Sequence, residues 1–240
     1  MPTCPGWTFR QLAIHLGRGH RRVAQIVATP AVTPIPMRDV ADGKLPQDPA
    51  QLTPWLNAGT DRAIEAVTAA GSDLVWTLAG IGPASFWARR QAHEATVHLA
   101  DAQLAAGRPV DLDPEVAADG VDEWLARTRA PPNRPVPRRR TCSETARACI
   151  SRHRPRTVRH RRVADDTDTV GVTVARGHGK ADVAVRGAAA SLLFVLTRRL
   201  PPSDPGIEIL GEQALLIHWL QHTPFRQIPD PSQPRLRSGK

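Results

Sequence analysis

Glu94 and His98 stand four residues apart in Trp87 to Ala102, WARRQAHEATVHLADA, a stretch free of Gly and Pro and rich in helix formers. On a helix that spacing projects both side chains from one face, so a carboxylate and an imidazole converge. Half a metal site is thereby built on a rigid element. His15, in WTFRQLAIHLG near the start of the chain, offers a second imidazole. Two imidazoles and one carboxylate leave coordination positions open, the arrangement of a catalytic divalent metal rather than a structural one. The same residues have plainer readings. Glu94 is also four from Arg90, an ordinary surface ion pair, and His15 lies on an apolar stripe, where a hydrogen-bonded core histidine is the commoner case. His93 points about a hundred degrees from Glu94 on a helix of ~3.6 residues per turn and is left out. Asp101, one turn beyond His98, is placed to orient that imidazole, although solvated charge is the commoner role for such a residue.

The elements that must position these side chains can be read in order. Thr8 followed by Gln11 is a capping box, with Trp7 and Leu12 at the positions of a hydrophobic staple, so the first helix starts at Phe9. Leu12, His15, Leu16, Gly19, Val23 and Ile26 give it an inward stripe, and the prolines between Thr29 and Pro36 end it. Asp48, Pro49 and Gln51 open a second helix that Gly71 stops. Leu74 to Leu78 reads as a short apolar connection. The central helix runs from about Ala84 to Ala106, closed by Gly107 and Pro109, and DPEVAADGVDEWLAR forms another helix ending before Pro131. Everything up to that point reads as helical, the makings of a bundle. Pro131 to Arg162 has hardly any apolar periodicity and predicts no packed structure. From Asp168 the pattern recovers: TVGVTVARG and ADVAVRG as strands, AAASLLFVLTRRL as a helix, IEIL as a strand and EQALLIHWLQ as a helix, a small α+β unit. The tail from Pro224 onward predicts fraying. Trp7, Trp55, Trp76, Trp87 and Trp124 read as core and bundle packing rather than a cofactor box.

Charge narrows the function classes. The chain of 240 residues carries a net +9, yet Arg134 to Arg162 holds eleven arginines against Glu144 alone, a local +10, so the remainder is near neutral at −1. A nucleic-acid role for this insert is disfavoured: it has almost no aromatics to stack on bases and no helix pattern to enter a groove. No apolar run is long enough to span a bilayer and MPTCPGW lacks the pattern of a signal peptide, so the expectation is a soluble, cytoplasmic protein. Cys4, Cys142 and Cys149 form neither a C-x-x-C pair nor a disulfide framework, which fits a reducing compartment.

Taken together, PTCPGWTFRQLAIHLG, FWARRQAHEATVHLADAQLAAG, DPEVAADGVDEWL and GKADVAVRGAAASLLFVLTRRL with IEILGEQALL resemble the actinobacterial mycothiol-dependent maleylpyruvate isomerase family, over most of residues 2–130 and 168–225. The resemblance implies a DinB-like helical metal-binding domain over residues 1–130 and a small α/β sterol-carrier-like domain over 167–225. An Arg/Pro-rich irregular segment (131–166) lies between them and a flexible tail (226–240) follows. It implies a divalent metal, zinc above all, held by His15, Glu94 and His98, and mycothiol as the thiol cofactor. A family arginine implicated in catalysis matches Arg199 best and Arg198 next. The implied partners are mycothiol and a small electrophilic substrate. The implied chemistry is thiol activation for cis-trans isomerisation of an unsaturated keto acid such as maleylpyruvate, or for thiol transfer; the ligands alone do not fix the substrate. Because the cofactor supplies the thiol, Cys4 reads as structural. The alternative is a non-catalytic or impaired member that binds or senses a small molecule or metal.

Two departures from the family pattern stand out. Family members generally have another helix before the block that begins here at Met1, so the expectation is either a bundle lacking one wall or a true start upstream, which a continuous helical reading frame there would establish. Residues near 131–166 replace strands usual in the family, and their composition resembles an out-of-frame translation of GC-rich DNA. Translating that interval in the other two frames should recover alternating apolar strands if this is right, and the basic charge then carries no functional message.

Overall fold

The computed structural model describes residues 1–128, 148–152 and 182–223, which divide into two compact units, with the break between Val110 and Asp111. In the first unit, helix α1 spans Phe9–Ala28 and α2 spans Leu52–Ala70; β1 (Leu74–Thr77) and β2 (Gly80–Pro83) form a hairpin, and α3 spans Ser85–Ala105. The second unit holds α4 (Pro114–Thr128), β3 (Ala148–Arg152), β4 (Val183–Gly187), α5 (Ala189–Leu196), β5 (Ile207–Gly211) and α6 (Gln213–His222). A helical region followed by a smaller unit of strands and helices is the architecture that the sequence predicts. No helix among the described residues is long and apolar enough to cross a membrane.

Helix α1 begins where its capping signal puts it. The Thr8 hydroxyl accepts from the Gln11 backbone N–H while Gln11 Oε1 accepts from the Thr8 N–H at 2.7 Å, so two otherwise orphaned donors are satisfied reciprocally. Its apolar stripe then buries Val23, Ile26 and Val27 against Ala63 of α2, Val75 of the hairpin and Ala84 and Trp87 at the start of α3. Trp87 donates its indole N–H to the Trp76 carbonyl at 2.8 Å, so this large side chain is buried with its one polar atom satisfied. Asp48 caps a 3-10 turn (Pro49–Gln51) that leads into α2, which places Pro54 in the first helical turn, where a missing N–H costs nothing.

The α1–α2 crossing depends on missing side chains. A Cβ on Gly17 would lie well under 3.0 Å from ring carbons of Trp55, and one on Gly59 equally close to the Arg21 guanidinium. Arg21 stacks over the Trp55 ring, 4.1 Å from its centroid, and donates to the Gly17 and Trp55 carbonyls. Replacing Gly17 by Ala should therefore push the helices apart, lowering stability by about 1–3 kcal/mol in urea denaturation despite the better helix propensity of Ala. An unchanged or raised midpoint would contradict this view of the crossing.

Three features differ from the sequence reading. Leu74 to Leu78 is a strand and turn, not a mere connection: Val75 pairs with Gly82 and Thr77 with Gly80, while the Thr77 hydroxyl accepts from Ala79 N–H and donates to Gly80 O. Its β-branched and aromatic residues favour extended backbone, and Gly80 supplies the positive φ of +112° that closes the turn. Helix α4, grouped with the first domain in the sequence reading, belongs to the second unit, where it packs on α5. Strand β3 lies inside the stretch expected to lack packed structure and runs parallel to β4, Ile150 opposite Val185, with β5 antiparallel on the other side of β4. The rest of 131–166, the expected strand TVGVTVARG and the tail lie outside the described residues.

In the second unit Val183 and Val185 of β4, Leu192 to Leu196 of α5 and Leu216 and Leu220 of α6 are buried. Arg198, at a positive φ of 66°, turns the chain after α5 and donates to the carbonyls of Leu196, Leu220 and Thr223. One guanidinium thus caps the ends of two helices, and burial lowers its pKa.

Candidate functional site

Helices α1 and α3 bring His15, Glu94 and His98 together. His15 Nε2 lies 2.9 Å from Glu94 Oε1, and His98 Nε2 lies 3.3 Å from the same oxygen. One ligand atom from each falls within 4.8 Å of the other two. The spacing can be set against what a cation would need. At metal–ligand distances of ~2.0–2.1 Å, ligand atoms sit roughly 2.9 Å apart along an octahedral edge and roughly 3.3 Å along a tetrahedral one. The two separations about Glu94 Oε1 fall within that range, and two imidazoles with one carboxylate are donors of the kind a small divalent ion takes. His93 is buried but is not part of this group.

The surroundings fix the donors in their roles. Asp101 accepts from His98 Nδ1 at 2.8 Å, which puts the proton on Nδ1 and leaves the Nε2 lone pair facing Glu94 and His15. Asp101 is fully buried, not solvated as the sequence reading preferred, and its carboxylate also accepts from the Thr3 hydroxyl and, at 3.2 Å, from the Cys4 thiol. A carboxylate buried to this degree is tolerated only with such partners. Cys4 is thereby a buried donor to the site's support, consistent with a structural thiol. Cys4, His98 and Asp101 also stand close enough to form a second ligand group, but its atoms are engaged with one another in these hydrogen bonds.

Arg90 pairs with Glu94 Oε2, leaving Oε1 for the imidazoles. This pair is not on the surface: the Arg90 side chain is 7% exposed and that of Glu94 17%. Trp7 is not simply core packing. Its ring lies 5.2 Å from that of His15, edge-on, and 6.2 Å from that of His98, stacked, covering both imidazoles. Gly6, at a φ of +82°, makes the backbone turn that precedes it. On the next turn of α1, burial and then the charges of Arg21 and His15 lower the pKa of His20, so this imidazole is held toward its neutral form. His20 Nδ1 lies 3.0 Å from the Thr60 hydroxyl of α2.

The residues that sequence reasoning undervalued, Asp101, Arg90 and Trp7, were all visible as neighbours of the metal-ligand pair at one-turn spacing or in the segment before His15. Arg199 lies in the second unit, 9% exposed, donating to the Thr197 carbonyl at 2.7 Å.

No curated protein and no solved structure matches the chain. Residues 1–103 match the family model described as the mycothiol maleylpyruvate isomerase N-terminal domain, and residues 115–218 match the MDMPI C-terminal domain. Both parts occur in order and together cover most of the sequence: the chain belongs to the mycothiol maleylpyruvate isomerase family.

Proposed function

We propose that the chain is a mycothiol-dependent metalloenzyme in which His15, Glu94 and His98 hold a divalent cation, zinc above all. The observation that carries this reading is the convergence of two imidazole nitrogens on one carboxylate oxygen, at 2.9 and 3.3 Å, from two helices. A cation bound there would favour the thiolate of a small thiol over the protonated form, and the thiolate is the reactive nucleophile. The chain's own groups prepare that site. Asp101 keeps His98 in the tautomer that presents Nε2, Arg90 holds the second oxygen of Glu94, and Trp7 packs against both rings. Arg199 is proposed to clamp a substrate carboxylate in bidentate fashion, as guanidinium forks do. Cytoplasmic localisation is part of the same proposal, since mycothiol is a low-molecular-weight thiol that must stay reduced.

Isomerisation requires addition of the thiolate to a cis double bond, rotation, and elimination that returns the thiol, so thiol is not consumed. Transfer to an electrophile consumes one thiol per product. Purified zinc-loaded protein should therefore be given mycothiol with an unsaturated cis keto acid, and separately with a panel of electrophiles, while free thiol and product are followed together. Turnover at constant thiol identifies an isomerase; turnover with equal thiol loss identifies a transferase. Absence of both from metal-loaded, folded protein removes the enzymatic proposal and leaves the metal-binding or sensing alternative.

A further inference from the structure

The imidazole–carboxylate cluster has a closed end and an accessible one. Helices α1 and α3 run antiparallel: Thr3 and Cys4, ahead of α1, meet Asp101, His15 meets Glu94, and Gly19 stands opposite Gln91. Side-chain exposure rises along that series, from 0% at Asp101 and His98 to 17% at Glu94 and 24% at His15, and Gln91 and Gly19 are partly exposed. Access to the cluster is therefore from the end at which Gln91 and Gly19 stand.

Gln91 belongs to the same stripe of α3 as two of the proposed cation ligands. Seven residues are about 700° of helix, so Gln91 and His98 project within about 20° of one another, and Glu94 lies about 4.5 Å along the axis from Gln91. The Gln91 side-chain oxygen is buried, yet it accepts from no donor among the described residues. Leaving such an oxygen without a donor is destabilising, and the large majority of buried polar atoms in folded proteins have a partner. Helix α1 does not supply one. Gly19 has no side chain, and Gln91 Oε1, at 3.8 Å, is the one described atom of another element within 4 Å of where a Gly19 Cβ would stand. An acceptor is thus held beside an uncovered stretch of α1 backbone, one helical turn from Glu94, at the accessible end.

We propose that Gln91 is a binding residue for the thiol: Oε1 accepts from an N–H or O–H that the thiol carries several bonds from its sulfur, while the sulfur meets the cation. This rests on the reading of His15, Glu94 and His98 as cation ligands. The class of thiol follows from the spacing. The donor must lie about one turn of α3, ~5.4 Å, from the sulfur, which an amide or hydroxyl further along an extended thiol provides and a simple alkanethiol does not. A buried acceptor of this kind discriminates strongly, because a thiol lacking the donor leaves the oxygen unpaired.

The full chain loaded with cobalt(II), whose charge-transfer absorption reports a bound thiolate directly, is titrated with mycothiol and with ethanethiol. The parent should bind both. In Gln91→Met, which keeps the length of the side chain and removes the acceptor, mycothiol affinity should fall about tenfold while ethanethiol affinity stays at the parental value. The thermal midpoint of the metal-free variant should equal or exceed that of the parent, because methionine leaves no buried oxygen without a donor. Equal mycothiol affinity in the two proteins would overturn the proposal. Equal losses for both thiols would do the same, by marking general damage to the cation site. A lowered midpoint with unchanged thiol affinity would assign the oxygen to a structural hydrogen bond, with the same consequence. A parent that takes up no cobalt, or cobalt but no thiol, would instead overturn the underlying reading and this proposal with it.

Discussion

Glu94→Ala is expected to abolish stoichiometric metal binding: about one equivalent of divalent metal in the parent by elemental analysis, and a small fraction of that in the variant. The size of the effect follows from the role of the residue. Losing even an outer hydrogen-bond partner of a ligand typically weakens metal binding by ~10–100-fold, and Glu94 would supply both a ligand atom and the site's negative charge. His15 and His98 alone come from two different helices and meet at Glu94 Oε1, so removing that oxygen also removes what draws them together. Glu94→Gln separates the contributions. It keeps the shape and one oxygen but not the charge, and metal affinity between parent and Ala variant is the expected result. Equal metal content in all three proteins would refute the ligand assignment.

The second large effect is expected at Asp101. In Asp101→Ala, the His98 Nδ1–H, the Thr3 hydroxyl and the Cys4 thiol all lose this acceptor at a fully buried position, at a cost of about 3–5 kcal/mol in equilibrium unfolding. Asp101→Asn distinguishes positioning from mere stability. Its amide oxygen can face His98 and Cys4 while its NH₂ faces the Thr3 oxygen, which can accept instead. Stability should then fall far less than in Asp101→Ala, whereas zinc affinity still drops by ~10–100-fold because the imidazole loses its charged orienter. A purely structural Asp101 would give the opposite result for the Asn variant: metal affinity would follow stability and stay near the parental value.

Much of the arrangement was legible because it is local. The capping box of Thr8 and Gln11 fixes the phase of α1 within a few residues, and the spacing of Glu94 and His98 fixes their common face once α3 is helical. The meeting of His15 with that face is a tertiary fact, carried in the sequence only through the family resemblance. Asp101 reads as solvated because a carboxylate at one-turn spacing is so unless other donors arrive, and its donors Thr3 and Cys4 come from about a hundred residues away. Strand β1 is hidden in the sequence for a different reason. Four apolar residues and a threonine show no period, and only pairing with Gly80 to Pro83 makes them a hairpin. The pairing of β3 with β4 is likewise invisible locally, since the partners lie more than thirty residues apart.

The meeting of His15 with Glu94 spans 79 positions of sequence. It turns α1, α2 and the hairpin into a closed circuit, with the two histidine-bearing helices as its clasp. The Gly17 crossing lies on that circuit. A tilt introduced at the crossing must be absorbed somewhere around the ring, and the clasp is where its two ends are joined. Substitutions that touch no donor atom can therefore alter the gap between donors, so tolerance to mutation along α2 is governed by the geometry of a site to which α2 contributes no ligand.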